Sequence, residues 1–199
     1  MVLVSGLLAL LFGLALGVLM FSTRQSNLLS MPLLNKTLSL MVNMARSIPF
    51  IILMLAIIPF TRLLVGTSIG TSAAIVPLTL ATVPFFFLFL ENNLNQLPPG
   101  LIETGLAMGA TTWQLIPAIL LSEALPGMVG TLTTTLITLI GYSAMAGAVG
   151  GGGLGDLAIR YGYQRFDAGV MIMTILILVA LVQGIQHLGD YWTKRLTHH

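Results

Sequence analysis

The chain has 199 residues, of which 56% are hydrophobic and only 7% are charged. Soluble domains carry about 25% charged residues, so this composition excludes a soluble globular enzyme as the default and indicates an integral membrane protein. The formal net charge of +2 rests on eight basic residues that do not cluster, which gives no support to nucleic-acid binding. There is no cysteine, and His187, His198 and His199 have no carboxylate at ligand spacing, so we expect no metal site.

The hydropathy of the chain predicts an all-α polytopic membrane protein with five transmembrane helices, because a bilayer core needs about 20 mostly apolar residues per helix. The predicted spans cover residues 2–21, 38–64, 71–90, 127–149 and 168–188. The first span lacks a positively charged leader and a small-residue cleavage motif, so we expect a retained span and not a signal peptide. Proline pairs, Pro49 with Pro59 and Pro77 with Pro84, permit kinks in the second and third spans.

Two arginines lie inside the second predicted span, Arg46 and Arg62. An ionisable residue within a span is a candidate functional residue. The flexible arginine side chain can also carry its charge to the membrane surface, and for Arg46 we expect this snorkelling to the cytoplasmic interface.

The stretch between the third and fourth spans, residues 98–122, is only moderately apolar. Ile102 begins an apolar face at helical spacing, and Gly109 suits the end of that short helix. Thr111 with Gln114 three residues later is typical of a capping box that opens a second helix. The sequence therefore predicts a helix, a tight turn and a helix outside the bilayer.

A helix that rests on a membrane surface usually carries several Lys or Arg residues. None occurs between Arg62 and Arg160, so we interpret this stretch as a docking segment for a protein partner and not as a surface-lying helix.

The fourth predicted span carries a polar stripe at spacings of three, four, four and three residues, as one helix face would. The candidate pore-lining residues are Thr131, Thr134, Thr138, Tyr142, Ser143 and Met145. Threonines in membrane helices also bond the carbonyl four residues back and pack against other helices. The sequence leaves open whether the stripe lines a pathway or packs.

A family resemblance follows from the motif Glu103, Thr104, Gly105 and Gly109, followed by Ile119-Leu120-Leu121-Ser122. This pattern resembles the coupling motif of permease subunits of ATP-binding-cassette (ABC) importers, with Ser122 where proline is usual. Longer strings at residues 46–53, 65–70, 74–79 and 136–155 are similar to the methionine branch of that family. The resemblance covers nearly the whole chain.

The resemblance implies one permease domain over residues 1–199, multi-pass in a bacterial cytoplasmic (inner) membrane and paired with a second copy. It further implies two cytoplasmic ABC ATPase subunits, which hold ATP and magnesium, and an external methionine-binding protein. The residues coupled to the ATPase would be Glu103, Thr104, Gly105, Leu106, Ala107, Met108, Gly109 and Ala110. The rim that faces the binding protein would include Asp156, Arg160 and Arg165.

The chain lacks the means to hydrolyse ATP through a P-loop, which requires a Gly-x-x-x-x-Gly-Lys-Ser/Thr motif. Its only lysines, Lys36 and Lys194, follow Asn35 and Thr193. We therefore expect a translocation subunit, not an enzyme, without a cofactor of its own. The alternatives are an ABC permease for another amino acid or small solute, and a stand-alone channel, carrier or interaction module.

Overall fold

The computed structural model of the chain describes residues 1–23, 31–98 and 100–197. The described residues form ten α-helices and no strand, which confirms the all-α prediction. The helices are α1 (Val2–Thr23), α2 (Pro32–Ser47), α3 (Phe50–Ala56), α4 (Ile58–Val65), α5 (Thr71–Asn95), α6 (Gly100–Ala107), α7 (Thr112–Leu115), α8 (Ser122–Ala148), α9 (Leu154–Leu157) and α10 (Ala168–Thr197). Two π-helical segments, Ile116–Leu121 and Ala158–Tyr163, precede α8 and follow α9. Residues 24–30, which include Arg24, lie outside the described residues, as do Pro99, His198 and His199.

Four of the described helices, α1, α5, α8 and α10, are long and apolar enough to cross a bilayer. A fifth crossing results when the bent pair of α2 and α3 counts as one span, in agreement with the five-span prediction. Both α5 and α10 continue past the predicted ends of their spans, to Asn95 and Thr197.

The predicted second span, 38–64, is three helices instead of one kinked helix. α2 and α3 meet at 99° across Ile48 and Pro49, and Ile57 separates α3 from α4. Ile48 is extended, with φ −85° and ψ 120°, as the residue before a proline prefers. Because Pro49 has no N–H, it begins a new helix and does not continue α2.

These three helices return the chain from one end of the bundle to the other. At the first end, the N–H of Met31, just before α2, donates to the carbonyl of Thr23, which ends α1. At the second end, α4 stops at Val65 and α5 starts at Thr71. We call the first end, where α6 follows α5, the α6 end, and the second end, at residues 147–155, the glycine-rich end.

The close contact between α1 and α5 depends on a stripe of small residues on α1. Its members, four residues apart and all buried, are Ser5, Ala9, Gly13 and Gly17. A Cβ on Gly13 would lie 2.7 Å from Phe86 Cδ1, and one on Gly17 would lie 2.6 Å from Leu90 Cδ2. Small residues let membrane helices approach closely, and here they make room for two large side chains of α5.

α8 packs against α10 by a second close approach, nearer to the α6 end. A Cβ on Gly189 of α10 would overlap the Thr133 side chain of α8. Gly184, five residues earlier on the same helix, has no atom within 4 Å of such a Cβ. Gly189 is therefore in close contact with α8 and Gly184 is not, although both lie on α10, so the two positions form a matched pair.

We expect Gly189→Ala to lower the free energy of unfolding by about 1–3 kcal/mol, since α8 and α10 must move apart. The matched control Gly184→Ala should leave stability unchanged or raise it by up to about 1 kcal/mol, because alanine favours the helix. The measurement is the unfolding midpoint of the detergent-purified protein. Equal effects of the two substitutions would contradict the packing role.

Candidate functional site

The segment between α5 and α8 contains α6, a tight turn and α7, but α7 is not a separate short helix, since it continues through the π-helical segment Ile116–Leu121 into α8. At the end of α6, the N–H of Ala110 donates to the Gly105 carbonyl at 3.1 Å, and the N–H of Gly109 donates to the Leu106 carbonyl at 3.0 Å. Gly109 has φ +81°. This paired bonding with a left-handed glycine is a Schellman motif, which terminates the helix where the sequence predicts.

The second helix, α7, starts with half of the predicted capping box. The side-chain Oε1 of Gln114 accepts from the N–H of Thr111 at 2.9 Å. The Thr111 hydroxyl also donates to this oxygen, at 2.9 Å, instead of accepting from the Gln114 N–H. That N–H donates to the Thr111 carbonyl.

Most of the predicted coupling residues are on the surface of this chain. Gly105 is buried and Ala110 is half-buried, whereas the others of the set are exposed. Leu106 is 50% exposed and Met108 is 82% exposed. Apolar side chains at a tip that bears Glu103 fit a protein partner better than bulk water.

The base of this tip is attached to the helix bundle. Ile102 of α6 and Ile116 of the following π-helical segment pack against a buried cluster. The cluster comprises Phe21, Phe86, Leu90, Leu94 and Ala124. The coupling segment therefore exposes one side and rests with the other on α1, α5 and α8.

Thr131, the first residue of the predicted polar stripe, lies buried between α5 and α8. Its Oγ1 accepts a hydrogen bond from Asn93 Nδ2 at 2.7 Å. Gly127, one turn earlier, makes room for Asn93, because a Cβ there would lie 2.8 Å from Asn93 Cγ. Thr131 thus joins α5 and α8 near the α6 end, as the packing alternative expects for this member of the stripe.

The next two threonines of the stripe are more accessible than Thr131. Thr134 is exposed and Thr138 is half-buried. Their hydroxyls donate to carbonyls four residues back, at 3.1 Å for Thr134 and 2.9 Å for Thr138. Buried Thr135 makes the same kind of bond, so bonding does not distinguish a pathway wall from packing. Ser143 is half-buried and Met145 is 50% exposed.

Tyr142 belongs to an aromatic cluster that the sequence analysis did not foresee. Its ring stacks on Phe50 of α3 with 4.6 Å between centroids and meets Phe85 of α5 edge-on at 6.2 Å. The guanidinium carbon of Arg46 lies 5.3 Å from the centre of the Phe85 ring. An arginine within an apolar span was the one signal in the sequence that pointed to this cluster.

The predicted rim residues are at the glycine-rich end. Arg160 forms an exposed ion pair with Asp156 at 3.0 Å, and the guanidinium of Arg165 lies 4.6 Å from the Tyr161 ring centre. The chain reverses tightly beside them, since a Cβ on Gly155 would overlap the Ala144 carbonyl. Within the described ranges, no group of three His, Asp or Glu residues is arranged to hold a metal.

A cysteine at Thr134 or Thr138 should react with a small aqueous thiol reagent in at least one transport state if this face of α8 lines a pathway. The matched control is Thr135→Cys, because Thr135 is 1% exposed on the same helix and has the same hydroxyl bond. The chain has no native cysteine, so labelling reports one position. Protection of all three positions in every state would leave packing as the role of the stripe.

Comparison with known proteins gives one consistent result. Residues 7–198 match the family described as the binding-protein-dependent transport system inner membrane component. The probable D-methionine transport system permease protein MetI of Vibrio cholerae is 50% identical over 198 residues, which are 100% of this chain and 88% of that protein. The D-methionine transport system permease protein MetI of Escherichia coli is 53% identical over 147 residues, which are 74% of this chain and 68% of that protein.

Among solved structures, an inward-facing conformation of the MetNI methionine ABC transporter superposes with a TM-score of 0.97 at 50% identity. The match covers 98% of this chain and 90% of that chain. On the family match over nearly its whole length, this chain belongs to the binding-protein-dependent transport system inner membrane components.

Proposed function

We propose that this chain is the transmembrane permease subunit of an ABC importer that takes up methionine, driven by ATP hydrolysis in a separate ATPase subunit. The observation that carries the proposal is the 50% identity to the MetNI transporter over 98% of the chain. A shared fold alone serves many substrates, so the support for methionine comes from the sequence identity and not from the fold.

The exposed side of α6 is the surface that we assign to the ATPase. Glu103, Leu106 and Met108 are accessible there, while Ile102 holds the base of α6 against the bundle. A movement of the ATPase bound at this surface would displace α6, and α6 would transmit the movement to the spans as a rigid-body displacement. ATP and magnesium would bind in the ATPase, with one ATPase subunit beneath each permease.

The pathway would lie between this chain and a second copy, in a bacterial inner membrane. The bent α2–α4 segment and the accessible face of α8 with Thr134 and Thr138 are the candidate walls. An external methionine-binding protein would dock at the glycine-rich end, where Asp156, Arg160 and Arg165 offer polar contacts. Alternating access would follow from rocking of the two copies.

The deciding experiment measures uptake of labelled L- and D-methionine by vesicles that contain this chain, its ATPase and its binding protein. We expect uptake that requires ATP and all three proteins. Hydrolysis of ATP stimulated by the binding protein without methionine uptake would retain the architecture and reject the substrate. Uptake without ATPase would indicate a stand-alone carrier.

Charge reversal at Glu103 tests the docking surface. We expect Glu103→Arg to reduce co-purification of the ATPase, because the side chain is exposed on the docking helix and not part of the bundle core. Glu123→Arg makes the same charge change at another exposed acidic residue, in the first turn of α8, and should have a smaller effect. Unchanged co-purification of the Glu103→Arg protein would reject the docking role.

A further inference from the structure

Arg46 places a positive charge against α5, inside the predicted third span. Phe85, over which its guanidinium lies, is the fifteenth residue of the 25-residue helix α5. At the rise of an α-helix, Phe85 is about 21 Å from the Thr71 end and about 15 Å from the Asn95 end. The predicted third span ends at residue 90, about 7.5 Å from Phe85, so the guanidinium contacts the ring inside the span and about five residues from its α6 end.

The guanidinium has an unused donor. Arg46 Nε is buried and has no hydrogen-bond partner among the described residues. Within the same residues, no carboxylate is within ion-pair distance of Arg46. The side chain as a whole is only half-buried, so part of it is accessible in the single chain. A charge in this position is too costly against lipid, which favours a wet pathway as its surroundings.

No acidic residue of this protein reaches that depth. The chain has six: Glu91, Glu103, Glu123, Asp156, Asp167 and Asp190. The nearest along α5 is Glu91, six residues or about 9 Å from Phe85 towards the α6 end. The other five lie nearer to the two ends of the bundle. A second copy related by a two-fold axis along the membrane normal would have its acidic residues at the same depths, so it also lacks a carboxylate for Arg46.

We propose that Arg46 binds the carboxylate of the amino-acid substrate as it passes through the membrane, with the Phe50, Phe85 and Tyr142 rings beside it. This inference rests on the proposed function, since it takes an amino acid as the transported molecule. A guanidinium binds a carboxylate through paired N–H donors, and its two terminal nitrogens form such a pair. The aromatic rings offer faces and edges that attract a thioether side chain.

The first test compares uptake with ATP hydrolysis in the complete transporter. We expect Arg46→Gln to reduce methionine uptake about tenfold or more, as loss of a charged hydrogen bond would, while hydrolysis stimulated by the binding protein continues. Arg46→Lys should restore part of the uptake, because it retains the charge without the paired donors. The matched control Arg195→Gln removes an exposed arginine that lies over another aromatic ring, Tyr191 near the end of α10, and should leave uptake unchanged.

Phe85→Leu separates substrate binding from a structural cation–π contact. It removes the ring beneath Arg46 and retains the charge, so we expect a smaller loss of uptake than in Arg46→Gln. Equal losses in the two variants, with no restoration by Arg46→Lys, would assign Arg46 to holding α2 against α5 and overturn the proposal.

A second test restores the charge chemically. Arg46→Cys would be the only cysteine of the chain. A thiol reagent that adds an ammonium group should restore uptake, whereas reagents of the same length that add a neutral or an anionic group should not. Failure of the cationic reagent to react in any transport state, or equal uptake after all three reagents, would overturn the proposal.

The two hypotheses fail in different ways. Absence of methionine uptake by the wild-type transporter overturns the proposed function and, with it, the assignment of Arg46. Normal uptake by the wild type and by the Arg46→Gln variant overturns only the assignment of Arg46.

Discussion

The fold depends on how closely α1 approaches α5. In a bilayer, burying apolar side chains gives helices little reason to associate, because lipid is equally apolar, so contact must come from close packing. Gly13 and Gly17 supply that contact by leaving space for Phe86 and Leu90, both of which are fully buried. α5 in turn packs against α2, α3, α4 and α8, so both candidate walls of the pathway are positioned relative to this one helix.

α5 also links the two ends of the molecule that function requires. The N–H of Gly70, just before α5, donates to the carbonyl of Gly150 in the glycine-rich reversal at 2.9 Å. At the other end, Asn93 bonds Thr131 of α8, and α6 begins five residues after α5 ends. A movement of α6 thus acts on a helix that is bonded at both ends. This continuity supports rigid-body transmission better than a flexible connection would.

The sequence could predict what depends on local patterns. Long apolar runs give the spans, a left-handed glycine at 109 ends a helix, and Thr111 with Gln114 opens the next one. It could not predict what depends on packing between helices. The polar residues of α8 recur at a constant helical spacing, yet Thr131 contacts α5 while Thr134 is exposed. The difference arises because the helices that neighbour α8 differ along its length. Periodicity gives a common face and does not say what covers it.

The bend at Pro49 shows why the aromatic cluster could not be found from the pattern of residues alone. The 99° break directs α2 and α3 differently, so Arg46, just before the break, lies over Phe85, and Phe50, just after it, stacks on Tyr142. A proline that removes one backbone donor thereby brings together a cation and three aromatic rings from four helices. That arrangement leaves a charge inside the membrane with no acidic partner at its depth, which is the property that a carboxylate in transit would satisfy.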